Sequence, residues 1–127
     1  MEIHESGENY LETILMLKQK IGQVRAIDIV RYLNFSKPTV SVAMKRFKED
    51  GYIQVDKEGY IILTEKGIAI AERIYERHVV IAKVLMVLGV DEDTAYEDSC
   101  RIEHDISDKT FQCIKQYYLQ SEAVKDN

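Results

Sequence analysis

Residues 26–63 read AIDIVRYLNFSKPTVSVAMKRFKEDGYIQVDKEGYIIL, and the succession of patterns inside them decides the fold. Ile27, Val30 and Leu33 recur at helical spacing and predict a short helix over 26–33. Asn34-Phe35 makes a turn, after which Ser36 is a good N-cap and Pro38 is tolerated in a first helical turn. The helix so opened, 36–50, turns Val40, Met44 and Phe47 inward and stops at Asp50-Gly51. Two β-rich runs, 52–55 and 60–63, then flank the polar loop Asp56-Lys57-Glu58-Gly59, which reads as a hairpin. Helix, tight turn, helix and hairpin in that order is the winged variant of the helix-turn-helix, with 36–50 as recognition helix and 52–63 as wing.

Outward from this block the chain is helical. Tyr10, Leu11, Ile14, Leu15 and Leu17 predict a first helix over 6–20. Downstream, Thr64-Glu65-Lys66-Gly67 opens a long helix to about 88. Its stripe is Ile68, Ala71, Ile74, Tyr75, His78, Ile81, Ala82 and Leu85. Gly89-Val90-Asp91 breaks it. A further helix is expected from 93 or 94 to about 105, and one capped by Ser107 to about 120, leaving 121–127 as a polar, frayed tail. The expected architecture is mainly α: a winged helix-turn-helix DNA-binding domain over 1–64, followed by an all-helical domain over 65–127.

Bulk composition points the other way at first. The chain has 127 residues, 46% of them hydrophobic, enough for a sizeable core and too many for a disordered chain. Its net charge of −5 argues against a nucleic-acid binder. That total conceals a segregation. From Lys18 to Lys48 there are eight basic residues against one acidic, and from His78 onward five basic against ten acidic. A basic block coinciding with the helix-turn-helix is what a DNA-facing half requires, although a basic solvated face is the blander reading. Within it, Ser36, Lys37, Pro38, Thr39 and Ser41 at the start of the recognition helix allow close approach to groove and phosphates. Val42 suits a thymine methyl or a packing contact, and Arg25, Lys45 and Arg46 suit phosphates. Cys100 and Cys113 are too few for a disulfide framework and favour a reducing compartment. The start of the chain has no basic-then-apolar leader, and the longest apolar stretch, near 84–90, is far short of a membrane span. The expectation is a soluble cytoplasmic protein, with no membrane partner and no small-molecule substrate.

Cys100-Arg101-Ile102-Glu103-His104 carries a second signal. On a helix, positions 100, 103 and 104 share one face, so a thiolate, a carboxylate and an imidazole converge within a turn. Such a set chelates a divalent transition metal, and it reads equally as a buried polar cluster. Asn9 and Glu12 stand at i, i+3 spacing near the start of the first helix. His78 lies on the apolar stripe, where a lone histidine is more often a hydrogen-bonded core residue than a ligand. The alternative functions are a metal-independent winged-helix regulator and, less favoured, a small zinc hydrolase. Against the latter, there is no Ser/His/Asp arrangement, no glycine-rich phosphate loop and no further acidic ligand in the usual order.

Several stretches together carry a resemblance: Glu-Asn-Tyr-Leu-Glu-Thr-Ile (8–14), Phe-Ser-Lys-Pro-Thr-Val-Ser (35–41), Leu-Thr-Glu-Lys-Gly (63–67), Glu-Arg-His (76–78), Leu-Gly-Val-Asp (88–91) and Asp-Ser-Cys-Arg-Ile-Glu-His-Asp-Ile-Ser-Asp (98–108). Over residues 6–120 the chain resembles the metal-dependent repressors typified by the diphtheria toxin repressor and the manganese transport regulator, in their short two-domain form. The resemblance implies a homodimer that binds double-stranded operator DNA when loaded with Fe²⁺ or Mn²⁺ and represses metal uptake, with 65–127 as metal-binding and dimerisation domain. It also implies that Asn9, Glu12, His78, Cys100, Glu103 and His104 fall on the metal-binding positions. The manganese branch has Asp in place of Asn9 and Glu in place of Cys100. The iron branch has Met in place of Asn9 but shares the cysteine, and its ancillary ligands are replaced here by Ala82 and Tyr96. A thiolate favours Fe²⁺ over Mn²⁺, with Zn²⁺, Co²⁺ or Ni²⁺ able to substitute in vitro. The expected mechanism is a metal that joins the first helix to the second domain and so favours the spacing of about 34 Å that two recognition helices need. Apolar faces around 79–88 and 106–119 are the expected dimer interface.

Overall fold

The computed structural model describes residues 5–125. Along them run α1 (Glu5–Ile21), α2 (Ala26–Leu33), α3 (Lys37–Glu49), β1 (Ile53–Val55), β2 (Ile61–Leu63), α4 (Glu65–Val87), α5 (Glu92–Ile102) and α6 (Asp108–Lys125). Two compact units result, one ending at Glu72 and one beginning at Arg73.

The first unit is a winged helix-turn-helix with one apolar core. Tyr10, Leu11, Ile14 and Leu17 of α1 meet Ile29 of α2, Val40, Met44 and Phe47 of α3, and Ile53, Ile61 and Leu63 of the wing. Tyr10 and Phe47 pack edge to face, their centroids 5.9 Å apart, as do Phe47 and Tyr52 at 6.2 Å. Each chain reversal has a local cause. Asn34, left-handed at φ 57°, ends α2. Ser36 caps α3 by accepting a hydrogen bond from the Thr39 amide, and Pro38 sits in that first turn, where its missing N–H costs nothing. In the wing, Asp56 Oδ1 accepts from the amides of Glu58 (3.0 Å) and Tyr60 (2.8 Å), and Gly59 takes φ 85°. The register pairs Ile53 with Leu63 and Val55 with Ile61, so Ile53, Ile61 and Leu63 face the core while Gln54 and Ile62 face out. The Ile61 amide also donates to the Val24 carbonyl (2.7 Å), which ties the wing to the turn before α2.

In the second unit, Val80 and Ile81 of α4 pack with Phe111 of α6, and Leu85, Ile102, Ile106, Ile114 and Tyr118 surround them. Asp91 caps α5, accepting from the Thr94 amide, and this holds the Asp91 carboxyl below the usual range. Ser107 caps α6 in the same way through Thr110.

The structure corrects several expectations. In α2 the fully buried residue is Ile29, with Ala26, Val30 and Leu33 beside it, and Ile27 is only half-buried. Positions 26, 29, 30 and 33 make a complete i, i+3, i+4, i+7 stripe, which the choice of 27 broke. On α4, Ile68 is exposed and Gly67 takes its place against the Tyr52 carbonyl. The last helix does not fray after 120 but continues to Lys125, since no Gly or Pro follows Gln120 to stop it. Helix α5 ends at Ile102 rather than near 105, so Glu103 and His104 lie in a turn rather than on a helical face. Met1–His4, on which the reading of the leader rests, and Asp126 and Asn127 of the tail lie outside the described residues.

Candidate metal centre and nucleic-acid interface

Four of the six candidate metal residues belong to the second unit, where Cys100 and Glu103 approach His78 and His104 adjoins Glu103. From α4, His78 Nδ1 stands 3.0 Å from Glu103 Oε2 and 3.5 Å from Cys100 Sγ. His104 Nε2 lies 3.3 Å from Glu103 Oε1. Glu103 is completely buried although it carries a charge. Its neighbours explain how it tolerates this. Burial raises its pKa, but contact with His104 and His78 outweighs burial and holds the carboxyl below its ordinary value. For His78, burial works against protonation, yet hydrogen bonds and negative charge from Cys100 and Glu103 prevail and push it up to about 10.

This donor set fits a divalent transition metal. Two ligands about 2.0–2.3 Å from one ion are separated by roughly 3.0–3.5 Å, and the His78–Glu103 and His78–Cys100 spacings fall in that range. Imidazole, carboxylate and thiolate are the ligand types of Fe²⁺, Zn²⁺ and Co²⁺. Glu103 Oε1, buried and 3.3 Å from His104 Nε2, makes no well-aligned hydrogen bond, and a cation would satisfy it. The remaining two residues, Asn9 and Glu12, stand one turn apart on α1 in the first unit, Glu12 buried and Asn9 half-buried.

Two residues that sequence reasoning passed over belong to this centre. Ser99, fully buried, donates to the Tyr96 carbonyl (2.9 Å), so its hydroxyl oxygen accepts from His78 Nδ1 (2.9 Å). Arg77 is buried beside the turn that carries Glu103 and His104. Both adjoin residues already singled out. Arg77 stands outside the apolar stripe read from the sequence, and no local pattern singled it out.

Protonation and metal binding compete at His78, because an imidazole ligates only when neutral. With its pKa raised to about 10, His78 must release a proton over the whole physiological range. Metal affinity is therefore expected to climb by up to about tenfold per pH unit between roughly pH 6.5 and 9. For the metal-free protein the sign is opposite: the stabilisation from charged His78 is complete below about pH 6.5 and is lost as pH rises toward 10. Co²⁺ titrations and metal-free melts at three pH values check both, and a pH-independent affinity would refute the competition.

In the first unit, Lys37 is exposed at the start of α3, and Pro38, Thr39, Ser41, Val42, Lys45 and Arg46 are exposed along it, whereas Val40, Met44 and Phe47 are buried. Val42 is 62% exposed, far more than a packing residue would be. Ser36, also exposed, has its hydroxyl engaged with Thr39. The Arg25 guanidinium rests 4.4 Å over the Tyr60 ring, which fixes it against the wing.

Comparison with known proteins gives the same picture. Residues 2–61 match the N-terminal DNA binding domain of iron dependent repressors, and residues 64–122 match their metal binding and dimerisation domain. An uncharacterized HTH-type transcriptional regulator of Methanocaldococcus jannaschii is 35% identical over 114 residues, covering 87% of this chain and 90% of that protein. The chain belongs to the iron dependent repressor family. As a member of that family it is a metal-dependent, DNA-binding transcriptional regulator and not an enzyme. The HTH-type transcriptional regulator MntR of Bacillus subtilis is 32% identical over 123 residues, covering 94% of this chain and 87% of that protein. Among solved structures, the manganese regulator SloR superposes with a TM-score of 0.75 at 26% identity. A manganese-dependent transcriptional repressor in complex with manganese shares the fold, with a TM-score of 0.79 at 21% identity. The chain covers 54% and 51% of the lengths of these two structures, against 92% and 87% of its own. No described helix of this family member is long and apolar enough to cross a membrane.

Proposed function

We propose that the chain is a cytoplasmic, homodimeric repressor of metal-uptake genes that binds double-stranded operator DNA when a divalent transition metal occupies the His78 centre, Fe²⁺ ahead of Mn²⁺. The observation that carries this reading is the approach of the Cys100 thiol and the Glu103 carboxylate to one nitrogen of His78. His78, Cys100, Glu103 and His104 are the ligands from residues 65–127, the metal-binding and dimerisation domain. Asn9 and Glu12, from the DNA-binding domain over 1–64, complete the set. When bound, the metal supplies cross-linking charge that favours the conformer suited to operator binding. Arg25, Lys45 and Arg46 contact phosphates, Ser36, Lys37, Pro38, Thr39 and Ser41 line the approach to the groove, and Val42 meets an apolar base edge. Leu88, 70% exposed, and Tyr117 and Leu119, 50% and 55% exposed, supply apolar surface for a second copy of the chain.

The metal preference rests on ligand softness, because Mn²⁺ favours hard oxygen donors and a thiolate does not supply one. Elemental analysis of protein purified without chelator and loaded anaerobically tests the reading, with at least one divalent metal retained per chain as the expected result. In competition, Fe²⁺ should outbind Mn²⁺, and Cys100→Glu should narrow the gap by tenfold or more. A chain that retains no metal would refute the reading, and an unchanged Fe²⁺/Mn²⁺ ratio in Cys100→Glu would refute the role of the thiolate.

A further inference from the structure

The turn that presents Glu103 and His104 lies between α5 and α6, so the carbonyls of Glu103 and Ile106 belong to neither helical ladder. Both are held by one side chain. Arg77 Nη1 donates to the Glu103 carbonyl at 3.1 Å and to the Ile106 carbonyl at 3.0 Å, and Nη2 pairs with the Asp108 carboxylate. The guanidinium is buried and lies 5.2 Å over the Phe111 ring of α6. Burying a charge is costly, and Arg77 Nε has no hydrogen-bond partner among the described residues. The three bonds from the two terminal nitrogens are what offset that cost. They span the turn at both ends, and Asp108 is the first residue of α6.

We infer that Arg77 is a positioning residue for the metal centre: from α4 it fixes the 103–108 turn that presents Glu103 and His104, and it ties that turn to the start of α6. Its neighbour on α4 is His78, so one helix supplies a ligand and also the brace for two others. Arginine suits the task because its planar fork reaches two carbonyls and a carboxylate together, whereas the lysine ammonium is a single point donor. The inference rests on the reading of His78, Glu103 and His104 as ligands.

The test compares wild type with Arg77→Lys, Arg77→Gln and Asp108→Asn. Asp108→Asn keeps a residue whose side chain is 72% exposed and weakens only the charge that anchors Arg77. Two readouts are taken: Co²⁺ affinity with its thiolate charge-transfer spectrum, and hydrogen exchange of amides 103–107 in the metal-free protein. Supporting residues around metal ligands are worth about 10–100-fold in affinity. Arg77→Gln is expected to weaken Co²⁺ by an amount in that range, with Arg77→Lys and Asp108→Asn intermediate. All three should speed exchange in the turn and leave exchange in α1–α3 unchanged. If the Arg77 variants do not fold, Asp108→Asn decides. Wild-type affinity and wild-type exchange in Asp108→Asn and in every folded Arg77 variant would overturn the inference. Faster exchange in the turn of the variants, together with a wild type that binds no Co²⁺, would instead overturn the ligand reading while leaving the brace itself supported.

Discussion

Glu103→Ala is expected to lower metal affinity by more than about 100-fold and to abolish any effect of metal on the protein. The bound is set by comparison, since removing a residue that merely supports a ligand already costs about 10–100-fold. Glu103 touches both histidines of the centre, His78 at 3.0 Å and His104 at 3.3 Å. Its loss removes a charged donor and also releases both imidazoles from their partner. Thermal unfolding reads the result. A metal present at 100 times its dissociation constant stabilises a folded protein by about 2.7 kcal/mol, a shift on the order of 10 °C for a chain of this size. The wild type should show that shift and Glu103→Ala should show none. A variant that still gains several degrees with metal would place the ligands elsewhere.

Gly67→Ala is expected to destabilise the first unit by at least about 3 kcal/mol. Alanine is the better helix former by roughly 1 kcal/mol, so propensity alone predicts a gain. Packing decides against it. A Cβ at this position would lie 2.2 Å from the Tyr52 carbonyl oxygen and 3.2 Å from Leu63 Cδ2. The carbonyl has little freedom to retreat, because it accepts the Thr64 amide at 3.1 Å, while the Thr64 hydroxyl donates to the Gly51 carbonyl at 2.7 Å. Relief requires moving α4 off the base of the wing, which breaks those bonds, so the penalty combines overpacking with lost hydrogen bonds. Urea unfolding measures it. A loss below about 1 kcal/mol would mean that the α4–wing junction is not the close contact described here.

Much of the first unit was legible because its signals are local. Ser36, Pro38 and the Asp56–Gly59 loop each act within four residues, so turn chemistry placed the recognition helix and the wing correctly. What periodicity misjudged was phase. Ile27 and Ile29 are equally apolar, and only the complete stripe through Ala26, Ile29, Val30 and Leu33 shows which faces the core. The grouping of candidate ligands was legible in composition but not in conformation. Cys100 and Glu103 both reach His78 and His104 adjoins Glu103, yet they do so across a helix end. The interaction that holds the turn there comes from Arg77, 26 residues before Glu103, and no local pattern encodes so distant a partner. Net charge was the least informative quantity, since the acidic total averaged over a basic block on the helix-turn-helix and an acidic second half.

The central claim is that metal at the His78 centre switches DNA binding. The most direct measurement is fluorescence anisotropy of the wild-type protein on a duplex selected from a random-sequence pool, at one fixed salt concentration, with chelator and with anaerobic Fe²⁺ or Mn²⁺. Coupling between two sites is typically 1–3 kcal/mol, about 5–150-fold in affinity, and a metal-induced tightening within that range is predicted. Equal affinity with chelator and with either metal would contradict the account and leave a winged-helix regulator that binds DNA without regard to metal.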